Sequence, residues 1–370
     1  MAGIYFHIPF CKKACAYCDF YKEIGTRRLA PTLDAMHHEL DAQRNYLGTE
    51  PLQTIYFGGG SPSLCSPQQI KSLLDHVKEL WDCSSVGEVT LEANPDDLDF
   101  AYLEALRRIG INRLSIGIQS FDDACLKLMN RRHNAQKAIE AVRAAQRAGF
   151  ENITGDLIFG VAGFGDERLE KDLEIMLSLD LQHISAYHLT IEPNTFFGRQ
   201  MARGKFHAVA EEQSEKEFLC VHESLSKAGY EHYEVSNFAL KGFRARHNAA
   251  YWHGAKYLGI GASAHSFDGG QRHWNPSSVE KYIAGIPAEN ELLSPQDQFN
   301  EYVMTRLRTI EGIDLSEVSD RFGASHTERL LKSAKNSLSA HWIQIEDNRL
   351  YVLPEHFLVS DLIIEDLFEV

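Results

Sequence analysis

Long apolar segments are absent from this sequence. A membrane-spanning helix needs about 18 or more consecutive apolar residues, and the 370-residue chain contains no such run. The amino terminus, MAGIYFHIPFCKK, has no basic leader ahead of an apolar segment, so a secretory signal peptide is not expected. The sequence therefore predicts a protein without a membrane span, although peripheral membrane contact stays open.

The sequence also lacks an even number of cysteines and an excess of positive charge. Seven cysteines in a large chain indicate a reducing cytoplasm rather than a disulfide framework. The 37 basic residues are outnumbered by 52 acidic ones, which gives a formal net charge of −15. Because phosphate neutralisation supplies most non-specific affinity for nucleic acids, this balance argues against a nucleic-acid partner and against tRNA modification. A local basic patch around Arg244 and Arg246 stays open.

Strand-like and helix-like segments alternate through the first half of the chain. The predicted strands are rich in β-branched and aromatic residues and end near Gly, Pro or Asn: GIYFHIP, QTIYFGG, EVTLEAN, RLSIGIQ, ITGDLIFG and HISAYHLTI. Helical periodicity lies between them, as in SPQQIKSLLDHVKELW, where the apolar residues fall on one face. This repetition predicts an α/β fold with a parallel sheet and right-handed crossovers. The pattern alone leaves a barrel and an open sheet as alternatives.

The pattern changes twice farther along the chain. A long helix, about Glu211 to Lys227, leads to the Gly- and aromatic-rich stretch RHNAAYWHGAKYLGIGASAHSF. From about residue 295 the chain reads as two helices, short strands and a last helix, which predicts a small winged-helix-like module with a packing or lid role. We therefore expect three segments, residues 1–195, 196–294 and 295–370.

Three cysteines lie within eight residues, in CKKACAYC. Zinc sites usually take four protein ligands, often as two C-x-x-C pairs, and the other four cysteines are scattered singly. His7 could complete a zinc site, and buried free thiols are the plainest alternative. Three thiolates on a tight loop can instead hold three irons of a [4Fe–4S] cluster and leave the fourth iron open to a small molecule. We favour the cluster, with Cys11, Cys15 and Cys18 as its ligands.

Other polar or glycine motifs follow the predicted strands, where parallel α/β folds gather their function. They are the glycines of FGGGSPS, Glu92 in LEANP, Gln119 in IGIQSF and Asp156 in GDLIFG. A turn or a cap explains most of these residues equally well, and Arg131 in LMNRRH could be a solvated charge. Asp156 is different, because a carboxylate within an apolar strand needs a partner or a ligand.

The cysteine spacing, with the aromatic Tyr17 before the last cysteine, resembles the radical S-adenosylmethionine (SAM) superfamily. That resemblance implies that SAM chelates the open iron and that an electron from the cluster cleaves its C5′–S bond to a 5′-deoxyadenosyl radical. Nine motifs also stand in the order seen in the haem chaperones called HemW, relatives of the coproporphyrinogen III dehydrogenase HemN: IYFHIPFCKKACAYCDF, IYFGGGSPS, LEANPD, RLSIGIQSF, LMNRRH, GDLIFG, YHLTIE, YEVSNFA and RHNAAYW.

This resemblance covers nearly the whole chain. It implies a partial (β/α)6 barrel of the radical SAM type, followed by a HemN-like winged-helix module. By position, it also implies the residues that contact SAM: Tyr5, Tyr17, Gly59, Gly60, Ser61, Glu92, Gln119, Arg131, Asp156 and Thr190. Two departures stand out. Ser61 replaces the usual Thr and keeps its hydroxyl, and VAGFGDE replaces the usual Leu-Pro-Gly-Gln-Thr, which leaves the role of that loop open.

Two features separate the chaperone from the dehydrogenase within this resemblance. The dehydrogenase has a fourth cysteine where this chain has Phe20, and it has a long segment before its first strand. Both differences favour a haem chaperone, with oxidative decarboxylation of coproporphyrinogen III as the alternative. Whether SAM is cleaved in turnover stays open.

The motif RHNAAYW is the sequence feature that points to haem. A neutral imidazole is a good ligand for haem iron, and the nearby Tyr251 and Trp252 offer an apolar platform. A hydrogen-bonded structural histidine is the plainer reading. We predict His247 as the haem ligand, with His265 as the fallback. The implied partners are haem, haem-accepting proteins and an electron donor such as flavodoxin or ferredoxin, and a homodimer is a further possibility of the family.

Overall fold

The computed structural model describes residues 2–369. Its strands, numbered in chain order, are β1 (Ala2–Ile8), β2 (Phe10–Cys11), β3 (Glu23–Ile24), β4 (Leu52–Gly59), β5 (Glu88–Ala93), β6 (Arg113–Gln119), β7 (Ile153–Phe159), β8 (His183–His188), β9 (Glu231–Glu234), β10 (Asn237–Ala239), β11 (Lys256–Ile260), β12 (His265–Phe267), β13 (Gln271–Trp274), β14 (Glu289–Leu292), β15 (Ile313–Asp314), β16 (Ile343–Glu346) and β17 (Arg349–Val352).

The helices are α1 (Leu29–Gln43), α2 (Pro67–Leu80), α3 (Phe100–Ile109), α4 (Asp123–Leu128), α5 (Ala135–Arg147), α6 (Glu167–Ser178), α7 (Phe196–Met201), α8 (Glu211–Lys227), α9 (Arg246–Trp252), α10 (Val279–Ile283), α11 (Pro295–Arg306), α12 (Leu315–Phe322), α13 (Ala324–Ser333), α14 (Lys335–Ser339) and α15 (Ser360–Leu367). None of the helices in residues 2–369 combines the length and the apolar character that a bilayer crossing needs.

One large mixed sheet organises the molecule. Within residues 2–369 its strand order is β14-β13-β12-β11-β1-β4-β5-β6-β7-β8-β10-β9. The strands from β11 to β8 in this order run parallel, and antiparallel strands extend the sheet at both edges. The edge strands β14 and β9 do not pair with each other, so the barrel is open. The predicted partial (β/α)6 barrel is confirmed, with β11 as an additional parallel strand beside β1.

Local sequence explains why these elements form. β1 and β7 are buried along almost their whole length, as expected for parallel strands covered on both faces. α2 begins at Ser66, whose side chain and that of Gln69 form a reciprocal capping box. α3 ends at Gly110, whose φ of 107° is the left-handed conformation that glycine adopts at helix ends. The sequence therefore sets both the strands and the helix ends.

The carboxy-terminal region packs α11 to α15 with a small sheet of order β15-β17-β16. This agrees with the predicted α+β module. One hydrophobic core nevertheless includes residues of all three predicted segments, for example Ile4, Tyr282 and Phe357. The proposed boundaries at residues 195 and 294 therefore stay predictions.

A substitution of Gly155 measures how closely the sheet packs against the helices that cover it. A Cβ at this position of β7 would lie 2.6 Å from Leu181 Cδ1 and 2.9 Å from Met176 Sδ. We expect Gly155→Val to destabilise the protein by about 1–3 kcal/mol through overpacking, measured as a lower thermal unfolding temperature. Gly270→Val is the matched control, because nothing lies within 4 Å of that Cβ. Equal melting of the two variants would contradict the packing described here.

Candidate functional site

The three clustered cysteines follow β1 at the carboxyl end of the parallel strands. The loop that carries them is closed by pairing of β2 with β3, including a hydrogen bond from Gly25 N–H to Cys11 O of 2.8 Å. Lys22 Nζ donates a hydrogen bond to Cys18 O at 2.7 Å and so stabilises the end of the loop. All three cysteines line a cavity of about 400 Å³, named here the cysteine cavity. Burial raises the pKa of the Cys11 and Cys18 thiols.

Arg131 connects the cysteine loop to the sheet. Its Nη1 donates to Cys15 Sγ at 3.2 Å, and its Nη2 donates to Asn94 Oδ1 at 2.7 Å and to Gly117 O at 2.6 Å. The preceding residue, Asn130, donates from Nδ2 to Ala14 O at 2.6 Å. A buried cation must have partners, and here the partners belong to both the loop and the strand ends. Arg131 therefore fixes where the cysteines lie.

The glycines at the carboxyl end of β4 allow the backbone to approach the cavity closely. Gly59 has a φ of 108°, and a Cβ there would lie 2.6 Å from the His7 ring. A Cβ on Gly60 would lie 2.7 Å from the carbonyl carbon of Pro9. Both positions therefore exclude a side chain. The next residue, Ser61, accepts a hydrogen bond from Asn94 Nδ2 at 2.6 Å and lies 3.7 Å from Cys11 Sγ.

Two partly buried carboxylates face the cysteine cavity. Glu92 accepts hydrogen bonds from Tyr56 Oη at 2.8 Å and from Gly59 N–H at 3.1 Å, yet burial raises its pKa to about 7. Asp156 accepts a hydrogen bond from Ser115 Oγ at 3.1 Å, and burial raises its pKa to about 6. Such shifts show that a cationic ligand group would stabilise the ionised carboxylates, because a nearby positive charge favours the charged form.

The cysteine cavity brings most of the predicted site residues together. The predicted residues that line it are Cys11, Cys15, Tyr17, Cys18, Gly59, Gly60, Ser61, Glu92, Gln119, Arg131 and Asp156. Tyr5 and Thr190 do not line it. Tyr5 donates to or accepts from His7 Nδ1 at 2.9 Å and faces a second cavity, and Thr190 is exposed beyond the end of β8. Their SAM contacts stay predictions.

Sequence reasoning gave no role to three residues at this cavity. Asn94 bridges Ser61 and Arg131, although the adjacent proline made it read as a turn residue. Asn130 holds the cysteine loop through Ala14 O, and its φ of 61° is a left-handed backbone conformation. His188 lines the cavity with a buried Nε2 that has no hydrogen-bond partner in residues 2–369. The Nε2 atom of His188 and the Nε atom of Arg131 have no hydrogen-bond partner in the described residues, so both can form a hydrogen bond with a ligand.

The unusual loop VAGFGDE packs against α8 and the cysteine loop. Gly160 N–H donates to Glu217 Oε2 at 2.8 Å, and Asp166 pairs with Lys216. Val161 belongs to a small apolar cluster that also contains Ala16 of the cysteine loop. The loop therefore packs against the cysteine loop through Val161 and Ala16. It contributes no residue to the lining of the cysteine cavity.

A second cavity, named here the aromatic chamber, has a volume of about 560 Å³. It lies between β1, the neighbouring strands β11–β13 and the carboxy-terminal helices. Aromatic side chains dominate its walls, together with histidines and arginines: Tyr5, Phe20, Tyr21, Tyr251, Trp252, Tyr257, Phe267, Tyr302, His7, His253, His265, Arg272, Arg306 and Arg321. Phe20 is 70% exposed and lines both cavities.

His247 is buried at the opposite, amino-terminal end of the strands. Its Nδ1 is 2.8 Å from Thr54 Oγ1, and its Nε2 is 2.9 Å from Tyr251 Oη. Burial lowers its pKa to about 3. His247 does not line the aromatic chamber. Both ring nitrogens are hydrogen-bonded in this arrangement, and the role of His247 as haem ligand stays a prediction.

Within residues 2–369, no three His, Cys, Asp or Glu side chains are placed to hold a single metal ion. The three loop thiols instead face one cavity with polar groups opposite them. This donor set fits a cluster bound by three thiolates, because each sulfur of such a site binds a different iron.

Comparison with known proteins identifies both parts of the chain. Residues 5–176 match the Radical SAM superfamily, and residues 293–358 match the HemN C-terminal domain. The Heme chaperone HemW of Lactococcus lactis is 34% identical over 365 residues, which cover 98% of this chain and 96% of that protein. The protein of the same name from Bacillus subtilis is 36% identical over 333 residues, 88% of each chain.

A solved structure shows the same fold. Coproporphyrinogen III oxidase (HemN) from Escherichia coli, a radical SAM enzyme, superposes with a TM-score of 0.85 over 99% of this chain and 90% of that chain. Its sequence is 21% identical, so the likeness concerns the fold alone.

The hydrogen bonds of His247 predict a structural role that can be measured. We expect His247→Ala to lower the free energy of unfolding by about 2–4 kcal/mol, because it leaves a void and deprives two buried hydroxyls of their partner. Urea unfolding of the purified protein measures this loss. His265→Ala is the control, because that side chain is exposed and has no hydrogen bond in residues 2–369. Wild-type stability of His247→Ala would show that the ring is not held as described.

Proposed function

Because this chain belongs to the HemW family of radical SAM proteins, we propose that it binds haem and delivers it to haem-accepting proteins. Family membership over nearly the full length of chaperone relatives is the observation that carries this proposal. The cofactors expected from the superfamily are a [4Fe–4S] cluster and SAM.

The residues of the cysteine cavity fit both cofactors. Cys11, Cys15 and Cys18 would hold three irons, and the open fourth iron would accept the amino and carboxylate groups of SAM. Glu92 and Asp156 would then face the cationic part of SAM across the cavity. When both groups are bound, the cluster supplies an electron for reductive cleavage of the C5′–S bond. Arg131 positions the loop, and the glycines admit the ligand.

Oxidative decarboxylation of coproporphyrinogen III is the alternative function. The shared fold supports it, since HemN superposes on almost the whole chain. Phe20 counts against it, because it occupies the position of the fourth cysteine of the dehydrogenase and extends, largely exposed, between the two cavities. We therefore place haem binding first.

We also propose a cellular compartment and partners for the protein. All seven cysteines are free, as is usual in a reducing compartment, which supports the cytoplasm. Haem-accepting proteins, a flavodoxin- or ferredoxin-like electron donor and a homodimer stay predictions.

The cluster assignment predicts the metal content of cysteine variants. Anaerobic reconstitution of the wild type should yield about four iron and four sulfide per chain, and joint replacement of Cys11, Cys15 and Cys18 by serine should abolish this. Iron and sulfide analysis measures both. Cys83→Ser is the matched control, because Cys83 is half-buried outside the cysteine cavity. Full iron content in the triple variant, or zinc in the wild type, would refute the assignment.

The chaperone proposal predicts binding and release of haem without porphyrin synthesis. The reconstituted protein should bind haem, seen as a Soret band, and should transfer it to apomyoglobin when the two are mixed. In an anaerobic assay with SAM and reductant, coproporphyrinogen III should remain unchanged. Absence of haem binding, or formation of protoporphyrinogen, would favour the alternative function.

A further inference from the structure

The segment that carries the three cysteines has a charge opposite to that of the whole chain. Residues 11–28 contain five basic and two acidic side chains, a formal charge of +3 within a chain of formal charge −15. The basic residues are Lys12, Lys13, Lys22, Arg27 and Arg28, and the acidic ones are Asp19 and Glu23. Positive charge is therefore concentrated on the loop that would hold the cluster.

Ion pairs neutralise some of these cations and leave others without a carboxylate. Lys12 pairs with Asp97 at 2.6 Å, and Arg28 pairs with Glu23 at 3.2 Å. The cations of this segment that form no ion pair within residues 2–369 are Lys13, Lys22 and Arg27. Asp19 is the one carboxylate of the segment that has no ion pair in the described residues. The segment therefore presents an excess of uncompensated positive charge.

Two of the uncompensated cations lie at the cysteine cavity. Lys13 and Lys22 line it together with the three thiols. Lys13 and Arg27 are exposed, and the three clustered cysteines are only partly buried. A partner that contacts these cations would therefore lie beside the thiols.

The same segment exposes two large apolar side chains. Phe20 is 70% exposed and lines the cysteine cavity, and Ile24 is 54% exposed. Ile24 of β3 pairs with Cys11 of β2, so it lies beside a cysteine. Exposed apolar residues with charges around them are the usual composition of a contact between proteins. We name this surface the loop face, and its residues are Lys13, Phe20, Lys22, Ile24 and Arg27.

We propose that the loop face docks a small acidic protein that donates single electrons to the cluster. The inference rests on the cluster assignment within the proposed function, and it adds the docking surface and the charge of the donor. One electron leaves the reduced donor, which is thereby oxidised, and reduces the cluster by one electron. No bond forms or breaks, and no proton moves.

Charge complementarity selects an acidic protein as the partner. Because the remainder of the chain is acidic, such a donor is repelled from most of the surface and attracted to the loop face. This attraction orients the donor toward the thiols. A small patch suffices, because weak contacts between redox partners bury less than about 1,200 Å² in total. A nucleic acid fits less well, because the net negative charge of the chain repels a polyanion.

The test is binding of flavodoxin, and in a separate arm of ferredoxin, to the anaerobically reconstituted full-length protein. Calorimetric titration at low and high salt measures the affinity. Lys13→Glu combined with Arg27→Glu should weaken donor binding at low salt by about tenfold or more, and high salt should reduce the difference from the wild type. Lys22 is retained, because it stabilises the cysteine loop. The matched control combines Lys332→Glu with Lys335→Glu, which changes the net charge equally at two exposed lysines that line neither cavity.

Stopped-flow reduction of the cluster supplies a second readout. At low salt, the reduced donor should reduce the cluster of the Lys13→Glu, Arg27→Glu variant about tenfold more slowly than that of the wild type. Reduced methyl viologen is a small cation that needs no docking surface, so it should reduce the cluster of this variant at least as fast. Iron content and thermal unfolding should match the wild type, which shows that the loop is intact.

The outcomes separate this inference from the proposed function. Equal donor affinity and equal cluster reduction in the wild type and the Lys13→Glu, Arg27→Glu variant would refute the docking surface, while haem binding by the same samples would leave the chaperone function intact. Equal weakening in the control variant would also refute it, because net charge alone would then explain the effect. Samples that dock the donor as expected but bind no haem would refute the chaperone function alone. Loss of tRNA binding instead of donor binding would make a nucleic acid the partner of this face.

Discussion

The placement of the cysteines depends on one buried guanidinium. Arg131 lies between the cysteine loop and the ends of β5 and β6, and it donates to Cys15 on one side and to Asn94 and Gly117 on the other. A buried cation without these partners would cost several kcal/mol, roughly 3–5 for a broken buried pair. The guanidinium therefore holds the cysteine loop at one position relative to the strand ends. This position sets the distance across the cavity from the thiols to Glu92 and Asp156.

The two cavities are lined by different chemical groups. The cysteine cavity contains thiols, carboxylates and close backbone, whereas the aromatic chamber contains stacked rings, a free imidazole and arginines. Phe20 belongs to both linings and stands at their junction. Phe20 is the one residue that the two linings share, so no polar side chain of the described residues belongs to both cavities.

Most of the fold, and the cysteine cavity, could be predicted from the sequence because parallel strands place their ends together. β6 and α8 have the predicted bounds. β11 was not predicted, because glycine and aromatic residues obscure its strand pattern. His247 shows the limit more clearly. The sequence identifies a histidine in a motif, but the direction of its ring depends on the Thr54 hydroxyl, which lies 193 residues away in the chain.

The cysteine loop has an apolar support of its own. Ala16, Met129, Val161, Leu189 and Phe197 form a cluster separate from the main core of the barrel. Backbone hydrogen bonds reinforce this cluster, because Ala16 N–H donates to Met129 O at 2.9 Å and Phe197 N–H donates to Ala16 O at 3.0 Å. A displacement of the cysteine loop would therefore also displace the end of α4 and the start of α7. These two helices limit how far the thiols can move apart.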